Sequence, residues 1–239
     1  MPKMQTSRYL SHQTLIGATE HREDKAIVIS SGTTEPSPTL LFLNKADPAL
    51  AMLEFNSIAR GMLAADAMVK RAAVALIHAG TVQPGRYLVM LGGEVAEVEE
   101  SLKAGQVVGG DALDDTVWLP SIHRDVLKVI HSAQDTPNIA RPSEADSLGI
   151  IETRTAPAAI KAGDVAIKGA TITLLSIRLS DGLGGKGLVL LAGLVADVEA
   201  ALDLVKKDLE GTTILQAVVI PQLHDDFAQN IFGSTRFFR

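Results

Sequence analysis

The stretch that decides the fold is residues 85–102, which read GRYLVMLGGEVAEVEESL and return at residues 185–202 as GKGLVLLAGLVADVEAAL. Ten of these eighteen positions are identical, among them Val95, Val98 and Glu99. An internal repeat of this kind decides the architecture before any single motif does. It predicts two homologous units within one chain.

The repeat continues on both sides of this stretch. Residues 50–54 (LAMLE) return as 148–152 (LGIIE), and residues 65–70 (ADAMVK) return as 163–168 (GDVAIK). The second repeat is longer by two residues in the loop before Gly185. Turn-forming residues between the repeats are typical of a linker. We therefore predict two domains, at residues 47–131 and 147–230, joined by a linker at residues 132–146. We also predict an N-terminal extension of unknown role at residues 1–46 and an aromatic C-terminal tail at residues 231–239.

Each repeat has the pattern of strand, helix, strand, loop, strand, helix, strand. The apolar runs at 49–55 and 148–153 predict strands, each followed by a helix that Ser57 or Thr155 caps. Further short apolar runs predict strands at 73–79, 87–91 and 117–119, and at 171–178, 188–191 and 214–220. We expect the α/β (α+β) fold class, with two tandem domains whose small sheets are of mixed order and carry packed helices.

Composition excludes several classes of function. The 239 residues are 46% hydrophobic and 21% charged, which is typical of a folded globular protein. A net charge of −6 without a basic cluster predicts no nucleic-acid partner. The absence of cysteine excludes disulfides, thiolate metal sites and a cysteine nucleophile. Neither a signal peptide nor a spanning helix is predicted, so we expect no membrane partner.

Motifs that could carry chemistry do not have the context they need. Residues 182–187 satisfy G-x-G-x-x-G, but a strand follows where a dinucleotide site requires a helix. Adjacent acidic residues beside His123 and His224 rarely converge on one metal ion. Asp66 and Asp164 are each followed four residues later by a lysine, which predicts ordinary ion pairs on an exposed helix face. We expect no catalytic residues, no metal and no cofactor.

The strand that ends in Glu54, the ADAMVK helix and the glycine-containing loop resemble the bacterial microcompartment shell-protein family. Two fused domains are similar to its tandem class. That resemblance implies ferredoxin-like, mainly antiparallel sheets and a homotrimer that forms a pseudohexameric disc. The resemblance further implies that such discs tile with hexameric and pentameric shell proteins in the bacterial cytoplasm and pass small metabolites through a central pore. The sequence leaves open whether two discs stack.

The resemblance also assigns roles to residues. Lys70 and Lys168 match the family's tile-edge lysine, and we place His123 and His224 at the same edge. The family often has Pro-Arg-Pro-His after the last strand, whereas this chain has PSIH at 120–123 and PQLH at 221–224, so the edge contact is expected to differ. The predicted pore lining comprises Thr81, Val82, Gln83, Pro84, Ser180, Asp181, Gly182, Leu183 and Gly184.

Two other functions remain as alternatives. A trimeric regulatory protein that senses a small metabolite would bind a ligand without lateral assembly. A small enzyme with sites between subunits would need groups that one chain does not reveal.

The last thirteen residues hold four of the six phenylalanines, beginning at Phe227. Such a concentration predicts packing onto the fold or onto a neighbouring chain, because exposed aromatic clusters promote association.

Overall fold

The computed structural model describes residues 48–132, 147–180, 182–209 and 213–233. Both halves have the same order of elements. The first domain comprises β1 (Ala49–Phe55), α1 (Ile58–Arg71), β2 (Ala75–Val82), β3 (Arg86–Gly93), α2 (Val95–Gly109), a 3₁₀ turn (Gly110–Ala112), β4 (Leu113–Leu119) and α3 (Arg124–Ser132). The second comprises β5 (Ser147–Thr153), α4 (Ala156–Gly169), β6 (Thr173–Leu179), β7 (Gly187–Gly193), α5 (Val195–Asp208), β8 (Ile214–Ile220) and α6 (Asp225–Gly233).

Each domain contains one four-stranded sheet in which all neighbouring strands are antiparallel. The strand order is β2-β3-β1-β4 in the first sheet and β6-β7-β5-β8 in the second. The registers are equivalent, since Glu54 lies opposite Asp115 and Glu152 lies opposite Gln216. The predicted fold class, two tandem α/β domains with mainly antiparallel sheets, is therefore confirmed.

The predicted helix caps are present. Ser57 accepts a hydrogen bond from the Arg60 N–H and Thr155 accepts one from the Ala158 N–H, with Pro157 in the first turn of α4. These side chains satisfy backbone donors that a helix start leaves unpaired. Each of the two helices therefore begins where the sequence places it. The predicted limits of the domains, linker, extension and tail stay predictions.

Helices α3 and α6 were not predicted from the sequence. Both are nine residues long and begin four residues after a proline, Pro120 or Pro221. The signal in the first was the spacing of Val126, Leu127 and Ile130, which places three apolar side chains on one face of a helix. Helices this short are marginal in isolation, so the local pattern that predicts them is weak.

The first domain packs α1 and α2 against one face of its sheet. Ala51, Leu53 and Phe55 of β1 point to this face and form one apolar cluster with Met68 and Leu102 of the helices. The alternate residues of β1 point to the opposite face, as a strand requires. That second face is where the other domain packs.

The two domains share one apolar cluster. Helix α3 of the first domain packs on β6 and α4 of the second, and α4 packs in turn on β4 and β1. Val117 and Val126 from one domain and Ile160 and Ile177 from the other belong to this cluster. The domain junction is therefore a continuation of the core. None of the described helices is long and apolar enough to span a bilayer.

Candidate functional site

The domain junction contains a buried carboxylate, Glu54, at the end of β1. Its side chain has no solvent exposure. One oxygen accepts a hydrogen bond from the Arg86 guanidinium, and the other accepts one from the Ala156 N–H, 2.8 Å away at the start of α4. Arg86 also pairs with Asp114 at 3.2 Å. A carboxylate at a helix N-terminus is favoured by the helix dipole, so this network ties the first sheet to the second domain.

Burial changes the proton affinity of this carboxyl group. Loss of hydration raises the pKa of Glu54 above its ordinary value, and the hydrogen bonds from Arg86 and the Ala156 N–H only partly offset that rise. In the sequence, Glu54 is recognisable only as the end of a family motif. Its recurrence as Glu152 at the end of the equivalent strand was the signal for a role at an interface.

A second polar set joins the same two domains. Asp164 of α4 is buried, and one of its oxygens accepts a hydrogen bond from the His123 N–H at 2.7 Å. Its other oxygen pairs with Lys168 at 2.5 Å, and Lys168 also donates to the Ser121 carbonyl. The predicted ion pair is present, but the prediction that Asp164 lies on an exposed face is wrong, because the first domain covers it.

Glu152 and Asp66, the counterparts of Glu54 and Asp164 in the repeat, lie away from the domain junction and are more exposed. Glu152 pairs with Lys186 at 2.7 Å, and both side chains are partly exposed. Asp66 pairs with Lys70 at 2.6 Å on an exposed helix face, as predicted. The two domains thus carry the same polar groups, with one set buried between the domains and the other at the surface.

The hairpin loops of the two domains lie side by side. A Cβ atom on Gly185 would lie 3.0 Å from Pro84 Cδ and 3.5 Å from Arg86 Cζ. Gly185 has a φ of +88°, and Gly182 and Gly184 also have positive φ, which glycine adopts without strain. The structure therefore brings the two predicted pore loops together. Whether they line a pore stays a prediction.

The predicted loop residues differ in accessibility. Thr81, Gln83 and Pro84 are exposed, and Val82 is half-buried. In the second loop Gly182 and Gly184 are exposed and Leu183 is half-buried. The Ser180 side chain is buried, and its hydroxyl donates to the Gly185 carbonyl at 3.3 Å. Asp181 lies outside the described residues.

The predicted tile-edge residues lie at two separate places. Lys168 and His123 lie at the domain junction, where both still have partly exposed side chains. Lys70 of α1 and His224 before α6 lie away from the domain junction and are more exposed. Their role in contacts between tiles stays a prediction.

A cleft of about 370 Å³ opens beside the junction, between β4 and the start of α4. Its charged groups are paired: Lys161 with Asp208 at 2.8 Å, and Asp115 with the Thr155 hydroxyl and the Thr116 N–H. Among the described residues no cluster of His, Asp or Glu has the arrangement of a metal site. The cleft is thus a gap between packed elements whose charged side chains already have partners.

Comparison with known proteins identifies the repeated unit. The BMC domain family matches residues 49–122 and 147–223, which covers most of both domains. The chain belongs to the BMC-domain family of bacterial microcompartment shell proteins. This shell protein is 36% identical over 178 residues to the bacterial microcompartment shell protein PduT of Citrobacter freundii, covering 74% of this chain and 94% of that one. It is also 27% identical over 211 residues to the carboxysome assembly protein CcmO of a Synechocystis strain, covering 82% and 69%.

Solved structures agree with this assignment. A crystal structure of a microcompartment protein from Desulfitobacterium hafniense DCB matches with a TM-score of 0.63 and 38% identity, covering 77% of this chain and all of that one. A fused, permuted hexameric shell protein of the RMM microcompartment has the same fold, with a TM-score of 0.51 and 21% identity over 71% and 89% of the two chains. This shell protein is therefore a structural component and not an enzyme.

Proposed function

We propose that three copies of this shell protein form a pseudohexameric ring in a microcompartment facet, with a central pore for small metabolites. In this arrangement each chain supplies two of six similar positions. The second domain of one chain would meet the first domain of the next in the way that the two domains meet within one chain. The ring then closes by repeating one heterologous contact.

The observation that carries the proposal is the unequal burial of α1 and α4. These helices are equivalent in the repeat, with Ile58 at the position of Ala156. Both bury one face against their own sheet, but α4 also buries a second face against the first domain. Met62 of α1 is 51% exposed, whereas Ile160, its counterpart in α4, is fully buried. The α1 positions that are exposed while their α4 counterparts are buried are Ile58, Ala59, Arg60, Met62 and Asp66.

The opposite end of the chain offers the complementary surface. Val218 of β8 is 44% exposed, whereas the equivalent Val117 of β4 is buried under α4 side chains of the same cluster. Two exposed apolar surfaces at opposite ends of one molecule, each equivalent to one half of a contact that already exists, favour association of identical chains. Burial of these side chains would supply the hydrophobic free energy of the contact.

The pore is supported by the position of the hairpin loops. Both loops lie at one side of the chain, and Gly185 of one approaches Pro84 of the other. Three such pairs around a ring axis would surround an opening with threefold chemistry, because the loops differ in sequence. Arg86 and Lys186, which follow the loops, are paired with Glu54 and Glu152. Of the predicted lining residues only Asp181 is charged, and the rest of the opening would be lined by uncharged groups such as Gln83, Thr81 and the glycine backbone.

The test is the mass of the purified chain in solution, with negative-stain imaging alone and after co-expression with a single-domain hexameric shell protein. We expect three chains per particle, a disc with a central depression, and entry into sheets or closed shells. Twice that mass would indicate stacked discs. A monomer or dimer that joins no assembly would overturn the proposal.

A matched pair of variants tests the surface itself. Met62→Lys places a charge on the face that we expect to be buried between chains, so the trimer should dissociate. Leu63→Lys is the control: Leu63 is adjacent and equally exposed at 53%, but its counterpart in α4 is already a lysine, Lys161. We expect the control to stay trimeric. Dissociation of both variants, or of neither, would contradict the assignment of this face.

A further inference from the structure

Helix α6 has a counterpart, α3, that reaches across a domain boundary. Helix α3 belongs to the first domain in sequence, yet it packs on β6 and α4 of the second. Within the described part of the chain, no helix or strand packs extensively against α6. We infer that α6 reaches across the boundary between chains in the same way and docks on β2 and α1 of the next copy. This inference rests on the proposed trimer and names the element that closes it.

The apolar residues of the two helices support this role. Val126 of α3 is fully buried at the domain junction, and Ile130 is 5% exposed. Their counterparts in α6 are Phe227, which is 51% exposed, and Ile231, which is half-buried. An aromatic side chain at this position is costly in water and is the residue type that most often anchors an interface. Phe227 is thus the expected anchor of α6.

The backbone that leads into the two helices has the same local geometry. The Asp125 N–H donates to His123 Nδ1 at 3.2 Å, and the Asp226 N–H donates to His224 Nδ1 at 3.3 Å. Helix α6 therefore leaves its strand as α3 does. It would reach the equivalent surface if a second chain occupied the position that the second domain occupies relative to the first.

The acceptor groups for this contact are present on α1. At the domain junction the His123 N–H donates to Asp164, which also pairs with Lys168. Helix α1 carries the same pair as Asp66 and Lys70, exposed on its outer face. A second copy is the occupant that fits, because one chain carries both halves of the contact: the acceptor pair on α1 and the equivalent histidine before α6. The Asp66 carboxylate would accept the His224 N–H of the neighbouring chain.

The first experiment traps this contact by disulfide formation in the full chain, which has no natural cysteine. Asp66→Cys combined with His224→Cys should form disulfides between chains on mild oxidation. At the domain junction the backbone nitrogen of the equivalent His123 lies 2.7 Å from a carboxylate oxygen of Asp164, so the two positions are in direct contact. Linked dimers and trimers should appear on a non-reducing gel. Asp164→Cys with His123→Cys is the matched control and should link only within a chain. Each single-cysteine variant should leave the trimer unlinked.

The second experiment removes the anchor. Phe227→Asp should weaken association of the chains by at least about 30-fold, measured by light scattering across a dilution series. Gln229→Asp adds the same charge to an exposed position of the same helix and should leave association unchanged. Circular dichroism of both variants checks that the chain remains folded.

The outcomes separate the two ideas. If the wild-type chain is a trimer, but the variant with Asp66→Cys and His224→Cys forms no disulfide and Phe227→Asp remains trimeric, the role of α6 is overturned and the trimer stands. If the wild-type chain is monomeric at all concentrations, the proposed trimer itself is overturned. A cross-linked trimer that Phe227→Asp dissociates supports both.

Discussion

Helices α1 and α4 are equivalent in the repeat, yet they differ in how much of their surface is buried. Helix α4 is buried on the side of its own sheet and on the side of the first domain, whereas α1 is buried only on the side of its own sheet. The carboxylates follow the same division: Glu54 has no solvent exposure and Glu152 is partly exposed. What decides burial is therefore the partner that a copy meets. Because two copies form only one domain junction, α1 of the first domain and β8 of the second each keep a contact surface that the chain itself does not cover.

The largest expected difference between the copies concerns Glu54 and Glu152. In a Met62→Lys background, which separates the chains, Glu54→Ala should cost about 3 kcal/mol of unfolding free energy. It leaves the partly buried Arg86 with only Asp114 and the Ala156 N–H without its acceptor. Glu152→Ala should cost about 0.5 kcal/mol, because its ion pair with Lys186 is solvated. Urea unfolding followed by circular dichroism and Trp118 fluorescence measures both, and equal costs would contradict the comparison.

A second difference is the pair of residues at which the first helix of each domain, α1 or α4, approaches its sheet. In the first domain a Cβ on Gly61 would lie 2.7 Å from Tyr87 Cβ; in the second domain the equivalent pair is Ala159 and Gly187. Gly61→Ala should therefore cost about 2 kcal/mol through overpacking.

In a Tyr87→Gly background the same change re-creates the pair of the second domain. Gly61→Ala should then stabilise the chain by up to about 1 kcal/mol, because alanine favours the helix. A double-mutant cycle by urea unfolding gives the coupling. Additive free energies in that cycle would mean that the close approach has no energetic effect.

The smallest effect is a dependence on pH. Because the pKa of Glu54 is raised in the folded chain, the folded state binds a proton more tightly than the unfolded state. This contribution to stability is fully present below about pH 4.5 and is lost as the pH rises through the folded-state pKa. The unfolding free energy of the wild type relative to that of Glu54→Gln should therefore decrease as the pH rises through the pKa of Glu54 in the folded state. A constant or increasing difference would show that Arg86 outweighs burial.

Sequence reasoning predicted most of the fold because the fold depends on local and repeated patterns. The caps at Ser57 and Thr155 and the apolar periodicity of α5 are visible in any window of the chain. It missed α3 and α6, because a helix of nine residues has only a weak local signal, and α3 is in addition stabilised by packing at the domain junction. It predicted two pore loops from their glycines and the family resemblance, and their role in a pore stays a prediction; it did not predict that Gly185 of one loop lies against Pro84 of the other.

The sequence by itself determined that this shell protein has two homologous domains, each with the same order of strands and helices. Hydrophobic periodicity, caps and repeated motifs act over short distances, so they specify the same structure wherever they occur. Only the tertiary structure decided that Glu54 and Asp164 are buried while Glu152 and Asp66 are solvated. The reason is geometric: when two joined domains dock, one copy of each contact surface is covered and the other faces outward, and no local pattern distinguishes the two.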